Sequence, residues 1–333
     1  MGIKNLLKFL SYQNNIIKDI NINEYQGKKV AIDISILIYQ VVISIRNSGA
    51  DLTNNKGEMT SHLLGLFNKT INLIDMDIIP IFVFDGKPPL LKRNILDTRR
   101  KIKNKALLKL EYAKTEEDKI RCFKKCVYIS QYQMNQCREL LTLMGIPFIN
   151  APEEADSELS YLCKNNLVYA VLTEDMDILT FGSTKIIRNL LSNKKQTIEI
   201  NLNDILNNLQ LNHEQFIELC ILFGCDYCIH INNIQSTKIY EIYIKHKNIE
   251  DTLKEFKLLG YNIPNDYEYI TAKEYFKSSV HSNVNNDDLK LKKPDIDELL
   301  NFLVNKHGFI KFKIINKINK LLVFYNKNNE LGN

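Results

Sequence analysis

Residues 168–177 read VYAVLTEDMD, an apolar, β-branched run that stops on two acids, Asp175 and Asp177. The same pattern recurs outward from it. Residues 28–33, KKVAID, end at Asp33, and residues 78–85, IIPIFVFD, end at Asp85. MGIPFI (144–149) runs into NAPEEADSE, which carries Glu154 and Asp156, and ELCILFGCD (218–226) ends at Asp226. Apolar runs that each finish on an acid predict parallel strands whose carboxyl ends converge on one cleft. Like charges do not share a cleft unaided: two of them about 4 Å apart repel by roughly 4 kcal/mol at an effective dielectric of about 20. Such a cluster takes up protons or binds cations. An all-oxygen donor set selects the hard ions Mg²⁺ or Mn²⁺ over zinc. Two-metal phosphodiester cleavage is the chemistry that fits.

Spacing supports this for the paired acids. Residues i and i+2 point about 200° apart on a helix but converge in a turn or extended segment. Asp175/Asp177 follow a predicted strand, and Glu154/Asp156 follow a strand and a proline. Taken singly, each acid also suits a helix cap or a surface charge. Five acidic sites at strand ends and turns, taken together, favour the cleft.

Charge is distributed unevenly over the 333 residues. The formal net charge is +5, yet residues 87–125 hold 14 Lys/Arg against 5 Asp/Glu, leaving 30 basic and 34 acidic residues elsewhere. A basic block beside an acidic cleft predicts a polyanion held by the first and cut in the second. Lys92 and Arg99, seven residues apart, share a face if that block is helical, and a cationic face suits a scissile phosphate. Tyr39 suits either base stacking or a half-buried core position.

Alternation of strands and helices predicts an α/β fold with a mostly parallel sheet. Strands are expected at 28–33, 78–84, 146–149, 168–172, 185–188 and 196–200. Helices are expected at 35–47, 59–75, 132–144, 154–165, 202–209 and 213–223. The segment 87–131 reads as a basic helical insertion over the cleft. Helical pattern resumes near 232 and again at 296–306, an Asn-rich loop fills 280–294, and a polar, frayed tail is expected from Asn326. The expected division is 1–86 and 132–230 for the α/β regions, 87–131 for the basic helical insertion, 231–325 for a helical region and 326–333 for the tail.

The 7 cysteines are odd in number and lack a disulfide-like pattern, so reduced thiols inside a cell are expected. Cys220, Cys225 and Cys228 hint at zinc, but no second cysteine pair stands at ligand spacing and Asp226 occupies the only CxxC. No apolar run approaches the length of a membrane span, and MGIKNLLKFL lacks the marks of a secretory signal.

These segments, with GEMTSHLLG (57–65) and FDGKPPLLK (84–92), resemble the flap endonucleases of the XPG family of structure-specific 5′ nucleases, over nearly the whole chain. The resemblance implies a central sheet flanked by helices, a helical arch over the active site, and a structure-specific 5′ flap endonuclease with 5′→3′ exonuclease activity in DNA replication and repair. It assigns Asp33, Asp85, Glu154 and Asp156 mainly to one Mg²⁺, and Asp175, Asp177 and Asp226 mainly to a second, with Mn²⁺ able to substitute. Lys92 and Arg99 become the cations at the base of the arch, and Tyr39 stacks on the base beside the cut. Gly2 packs near the active site, Thr60 with Arg46 falls where a one-nucleotide 3′ flap is received, and Arg100, Lys103 and Lys238 contact DNA. The implied partner is DNA with a 5′ flap, nick or gap, acted on by a monomer in a nucleus or a viral replication site.

Three departures stand out. The stretch INNIQSTKIY (231–240) has no Gly where the family carries a Gly-rich helix–hairpin–helix and a K⁺ site, and Asn232 and Asn233 are the candidates to supply its left-handed backbone. The ending LLVFYNKNNELGN lacks a sliding-clamp-binding box, so clamp binding is not supported. Only Glu58, beside Asn55 and Lys56, remains of the acidic patch against longer 3′ flaps, which predicts weaker discrimination among flap types. The rival readings are a catalytically inactive DNA-binding scaffold and a related nuclease acting on four-way junctions or RNA.

Overall fold

The structure is a computed structural model that describes residues 2–47, 49–113, 115–192 and 195–330, apart from the side chains of Asn94 and Glu330. Its strands, in chain order, are β1 (Ile17–Asp19), β2 (Lys29–Asp33), β3 (Ile79–Phe84), β4 (Phe148–Asn150), β5 (Ala170–Leu172), β6 (Lys185–Arg188) and β7 (Ile198–Asn201). Two compact units divide the chain: Met1–Ile20, Asp85–Asn94 and Ala151–Ser282 form the first, and Asn21–Phe84, Ile95–Asn150 and Asn283–Asn333 the second.

The first unit orders its strands β1-β7-β6-β5. β5 and β6 are parallel, whereas β7 pairs antiparallel with both β6 and β1. β5 is buried throughout, as a strand covered on both faces should be. Its loop delivers Asp175 and Asp177. Helix Ala155–Lys164 carries Asp156, and helix His213–Phe223 leads to Asp226. Asn212 caps the latter in a reciprocal box with Gln215, and eight of its residues are buried.

The second unit pairs β2, β3 and β4 in parallel, with Asp33 opposite Val83 and Phe84 opposite Asn150. β3 (IPIFVF) buries its last five residues, which suits its β-branched and aromatic content. Asp33 Oδ1 accepts the Ile36 N–H at 3.1 Å, so the acid that ends β2 also caps helix Ile34–Arg46. The basic segment is helical at Arg93–Glu111 and Glu116–Lys125.

The expected strands and helices are present within two or three residues at most boundaries. Some elements differ from expectation. β1 is a short antiparallel edge strand that its polar sequence IKD does not announce. Helix Tyr269–Lys277 lies in a stretch of weak periodicity. The final helix, Lys311–Glu330, runs through the tail expected to fray from Asn326, where Lys327 pairs with Asp77 at 2.6 Å. No helix among the described residues is long and apolar enough to cross a membrane.

Candidate active site

The turn after β5 is held by its own side chains. Thr173 Oγ1 accepts the Asp175 N–H at 2.9 Å, and Asp175 Oδ1 accepts the Asp177 N–H at 3.1 Å. The two acids therefore fold toward one another rather than diverging as they would on a helix. Asp177 is 1% exposed, and neither of its carboxyl oxygens has a hydrogen-bond partner among the described residues. Its pKa lies well above the ordinary carboxylate range. Burial is the main cause and the Asp175 charge the next; Lys92 opposes them, while Asp226 and Glu154 add to the upward push. Gly2, at φ +79°, closes over this pair: a Cβ there would fall on Asp175 Oδ1 and within 2.8 Å of Asp177 Oδ1.

Glu154 and Asp156 enter from the start of helix Ala155–Lys164. Glu154 occupies the cap position but makes no side-chain cap bond. Asp85 supplies it instead, its Oδ1 accepting the Ala155 N–H at 3.0 Å. Glu154 turns to other donors. Lys92 Nζ lies 2.5 Å from its Oε1, and the Tyr227 hydroxyl donates to its Oε2 at 2.7 Å. Tyr275 reaches the same Oε2 at 3.2 Å. Ser282 further braces the helix, donating its N–H and its hydroxyl to the two oxygens of Glu158, each at 2.8 Å.

Lys92 ends the one-turn helix Leu90–Lys92 and is 8% exposed. Burial alone would lower its pKa. The carboxylates of Asp156, Glu154 and Asp177 outweigh that and raise it, so the ammonium stays charged. It also sits 4.9 Å from the centroid of the Tyr227 ring. Within the first unit, then, Glu154, Asp156, Asp175, Asp177 and Asp226 share one electrostatic neighbourhood with the buried Lys92 ammonium among them.

Among the described residues, no three His, Cys, Asp or Glu side chains close into a ready-made metal site. The donor set still fits hard divalent ions. It is all carboxylate, and Asp177 presents two buried oxygens that no donor among the described residues serves. Burial pushes the Cys228 thiol up to about 12 and lifts the Cys220 and Cys225 thiols as well.

The second unit holds Asp33 and most of the expected nucleic-acid contacts. Tyr39 is 40% exposed; burial chiefly, then Tyr128, raises its hydroxyl pKa, against the pull of Arg99. Arg99 and Arg100 are exposed on helix Arg93–Glu111, and Lys103 lies 4.1 Å over the Tyr128 ring. Arg46 and Thr60 are engaged internally. Arg46 is buried, binds Asp51 through Nε and Nη2 at 3.0 and 2.9 Å, and donates to the Phe123 carbonyl at 2.8 Å. Thr60 is buried and donates its hydroxyl to the Leu52 carbonyl at 3.3 Å. In the first unit, Lys238 lies on helix Ser236–His246 beside Glu241 at 3.2 Å, and Asn233 adopts the left-handed φ of +64° expected of an Asn standing in for Gly.

Two site residues escaped the sequence reading. Tyr227 directly follows Asp226, and that adjacency was the available signal. Tyr275 lies 121 residues from Glu154 on the helix of weak periodicity, and nothing local marks it.

Comparison with known proteins shows what the chain is similar to. Residues 1–106 match the XPG N-terminal domain and residues 145–226 the XPG I-region. The chain is 38% identical to flap endonuclease 1-B of Physcomitrium patens over 339 residues, covering 99% of this chain and 97% of that one. Among solved structures it is similar to flap endonuclease-1 from Methanococcus jannaschii, with 33% identity, a TM-score of 0.73, and 96% and 99% of the two chains covered. The catalytic core of Rad2 in complex with DNA substrate shares the fold at 24% identity and a TM-score of 0.75, covering 96% of this chain and all of that one.

Proposed function

This chain belongs to the XPG family of structure-specific 5′ nucleases, and we propose that it hydrolyses DNA phosphodiesters at 5′-flap, nick and gap junctions with two Mg²⁺ ions held by its clustered carboxylates. The activity is that of a structure-specific 5′ flap endonuclease, a DNA hydrolase. The observation that carries the metal reading is Asp177, a buried carboxylate with unserved oxygens amid other acids. Asp85, Glu154, Asp156, Asp175, Asp177 and Asp226 are the proposed ligands in the first unit, and the family resemblance adds Asp33. Divalent ions held by these carboxylates would supply charge neutralisation at the scissile phosphate, an activated water and support for the leaving oxygen, with Mn²⁺ as the proposed substitute.

The chain's own side chains complete the reading. Lys92, kept charged by its carboxylate neighbours, is the donor for a phosphate oxygen that gains charge as the bond breaks. Arg99 is proposed to act alongside it and Tyr39 to stack on the base beside the cut. Arg100, Lys103 and Lys238 neutralise backbone phosphates, which positions DNA without reading sequence. The helices over 93–125 form the proposed arch, and replication or repair DNA in a nucleus or a viral replication site is the proposed setting.

Asp175→Ala tests the core of this. Cleavage of a 5′-flap substrate in Mg²⁺ should be abolished while DNA binding persists. Retention of more than a few per cent of the rate would sink the ligand assignment. Supplying gapped-flap, four-way-junction and single-stranded RNA substrates, with Mg²⁺ and with EDTA, separates flap cleavage from the rival readings.

A further inference from the structure

Glu154 is held asymmetrically. Its Oε1 faces only the Lys92 ammonium in the bonds described above, whereas its Oε2 receives two hydroxyls, from Tyr227 and Tyr275. The Tyr275 hydroxyl is shared, lying 3.1 Å from Glu153 and 3.2 Å from Glu154. Neither tyrosine has much freedom. Their ring centroids are 4.8 Å apart, and Phe181 stands edge-on to both at about 6 Å. Phe276, the neighbour of Tyr275, is buried 4.9 Å from the Tyr227 ring and 5.0 Å from Phe181. The aromatic block fixes where the two hydroxyls point, and the hydroxyls fix the carboxylate. Without them Glu154 is free to swing both oxygens onto Lys92, a tighter pairing for an ammonium and a worse one for any other cation.

We propose that Tyr275 is a positioning residue: together with Tyr227 it anchors Glu154 through Oε2, leaving Oε1 as the oxygen that exchanges between the Lys92 ammonium and a divalent ion. The inference rests on the metal reading of the site given above. It makes Lys92 a placeholder for positive charge beside Glu154, which moves to phosphate once a cation takes its place. Hydrogen-bond partners of metal ligands commonly govern affinity in this manner.

Tyr275→Phe keeps the ring packing and removes only the hydroxyl. Mn²⁺ is titrated into the DNA-free protein by calorimetry, with flap cleavage followed in parallel against Mg²⁺. Mn²⁺ affinity should fall by about 10-fold. The rate at saturating Mg²⁺ should recover to within about two-fold of the parent, with KM for DNA unchanged. Combining the change with Lys92→Met supplies a readout that a structural role would not move. With the competing ammonium gone, Mn²⁺ affinity should rise above that of the parent, and the penalty of Tyr275→Phe should shrink. Unchanged Mn²⁺ affinity in Tyr275→Phe, or a penalty that persists in full without Lys92, overturns the proposal. A parent protein that binds no Mn²⁺ and cuts no flap instead overturns the metal reading on which it stands.

Discussion

The Gly2 backbone lies against the Asp175 carboxylate so closely that no side chain fits between them, and Gly2 holds a φ of +79° that L residues rarely adopt. Both constraints act on the same residue. Gly2→Ala should therefore push Asp175, and with it the Asp177 N–H bonded to Asp175 Oδ1, out of place. The expected result is a loss of Mg²⁺-dependent flap cleavage of about 10²-fold, the scale on which a 1 Å misplacement is felt. Stability should also fall, by about 1 kcal/mol or more, because Ala takes a positive φ only under strain. Cleavage at a parental rate, with an unchanged melting temperature, would show that the carboxylate pair has more room than the geometry gives it.

Much of this arrangement was legible in the chain because each acid sits at a change of pattern. Ala170–Leu172 is a buried strand, and the residues after it turn, which brings Asp175 and Asp177 together. Asp33 and Asp85 show how a cap and a candidate ligand coincide in one residue: each accepts a helix N–H with Oδ1, so the bland and the chemical readings of a strand-end acid were never exclusive. The illegible part is the long-range part. Nothing within ten residues of Tyr275 indicates that its hydroxyl meets Glu154, because that contact depends on the packing of Phe276 and Phe181. The internal partners of Arg46, Asp51 and the Phe123 carbonyl, are likewise set by folding and not by any local pattern.

A pH effect on folding should arise within the second unit, from its buried histidines. His62 is fully buried, its Nε2 2.9 Å from Gln136 Oε1, and burial lowers its pKa from 6.5 to about 4, with nearby His307 adding to the drop and the Gln136 bond opposing it. Burial likewise lowers His307, further helped by Lys306 and opposed by Glu139 and Glu58. A histidine with a depressed pKa binds its proton more tightly in the unfolded chain. Its contribution is thus intact above pH 6.5 and is lost as pH falls from there toward 4. For His62 alone the full loss is on the order of 3 kcal/mol. Urea unfolding in EDTA at pH 7.5, 6, 5 and 4.5 should show this decline, and His62→Gln should flatten it. A decline of the same slope in that variant would assign the effect to other groups.

Arg46 separates two roles that a basic residue in this position can play. Its guanidinium is 4.0 Å from the centroid of the Phe123 ring, doubly bonded to Asp51, and joins helix Ile34–Arg46 to helix Glu116–Lys125 through the Phe123 carbonyl. Truncating one member of a buried ion pair strands the other, at a cost of about 3 kcal/mol or more. Arg46→Ala should therefore appear first as a lowered urea midpoint with no DNA present. If Asp51 is the stranded partner, Arg46→Met combined with Asp51→Leu should recover much of the loss, because two apolar groups of similar bulk leave no buried charge behind. A residue whose main business is a DNA phosphate would behave in the opposite way. Arg46→Ala would then leave the midpoint alone and flatten the salt dependence of binding. Parallel urea and salt titrations of the single and double variants decide between the two, and the internal role fails if the midpoint of Arg46→Ala matches that of the parent.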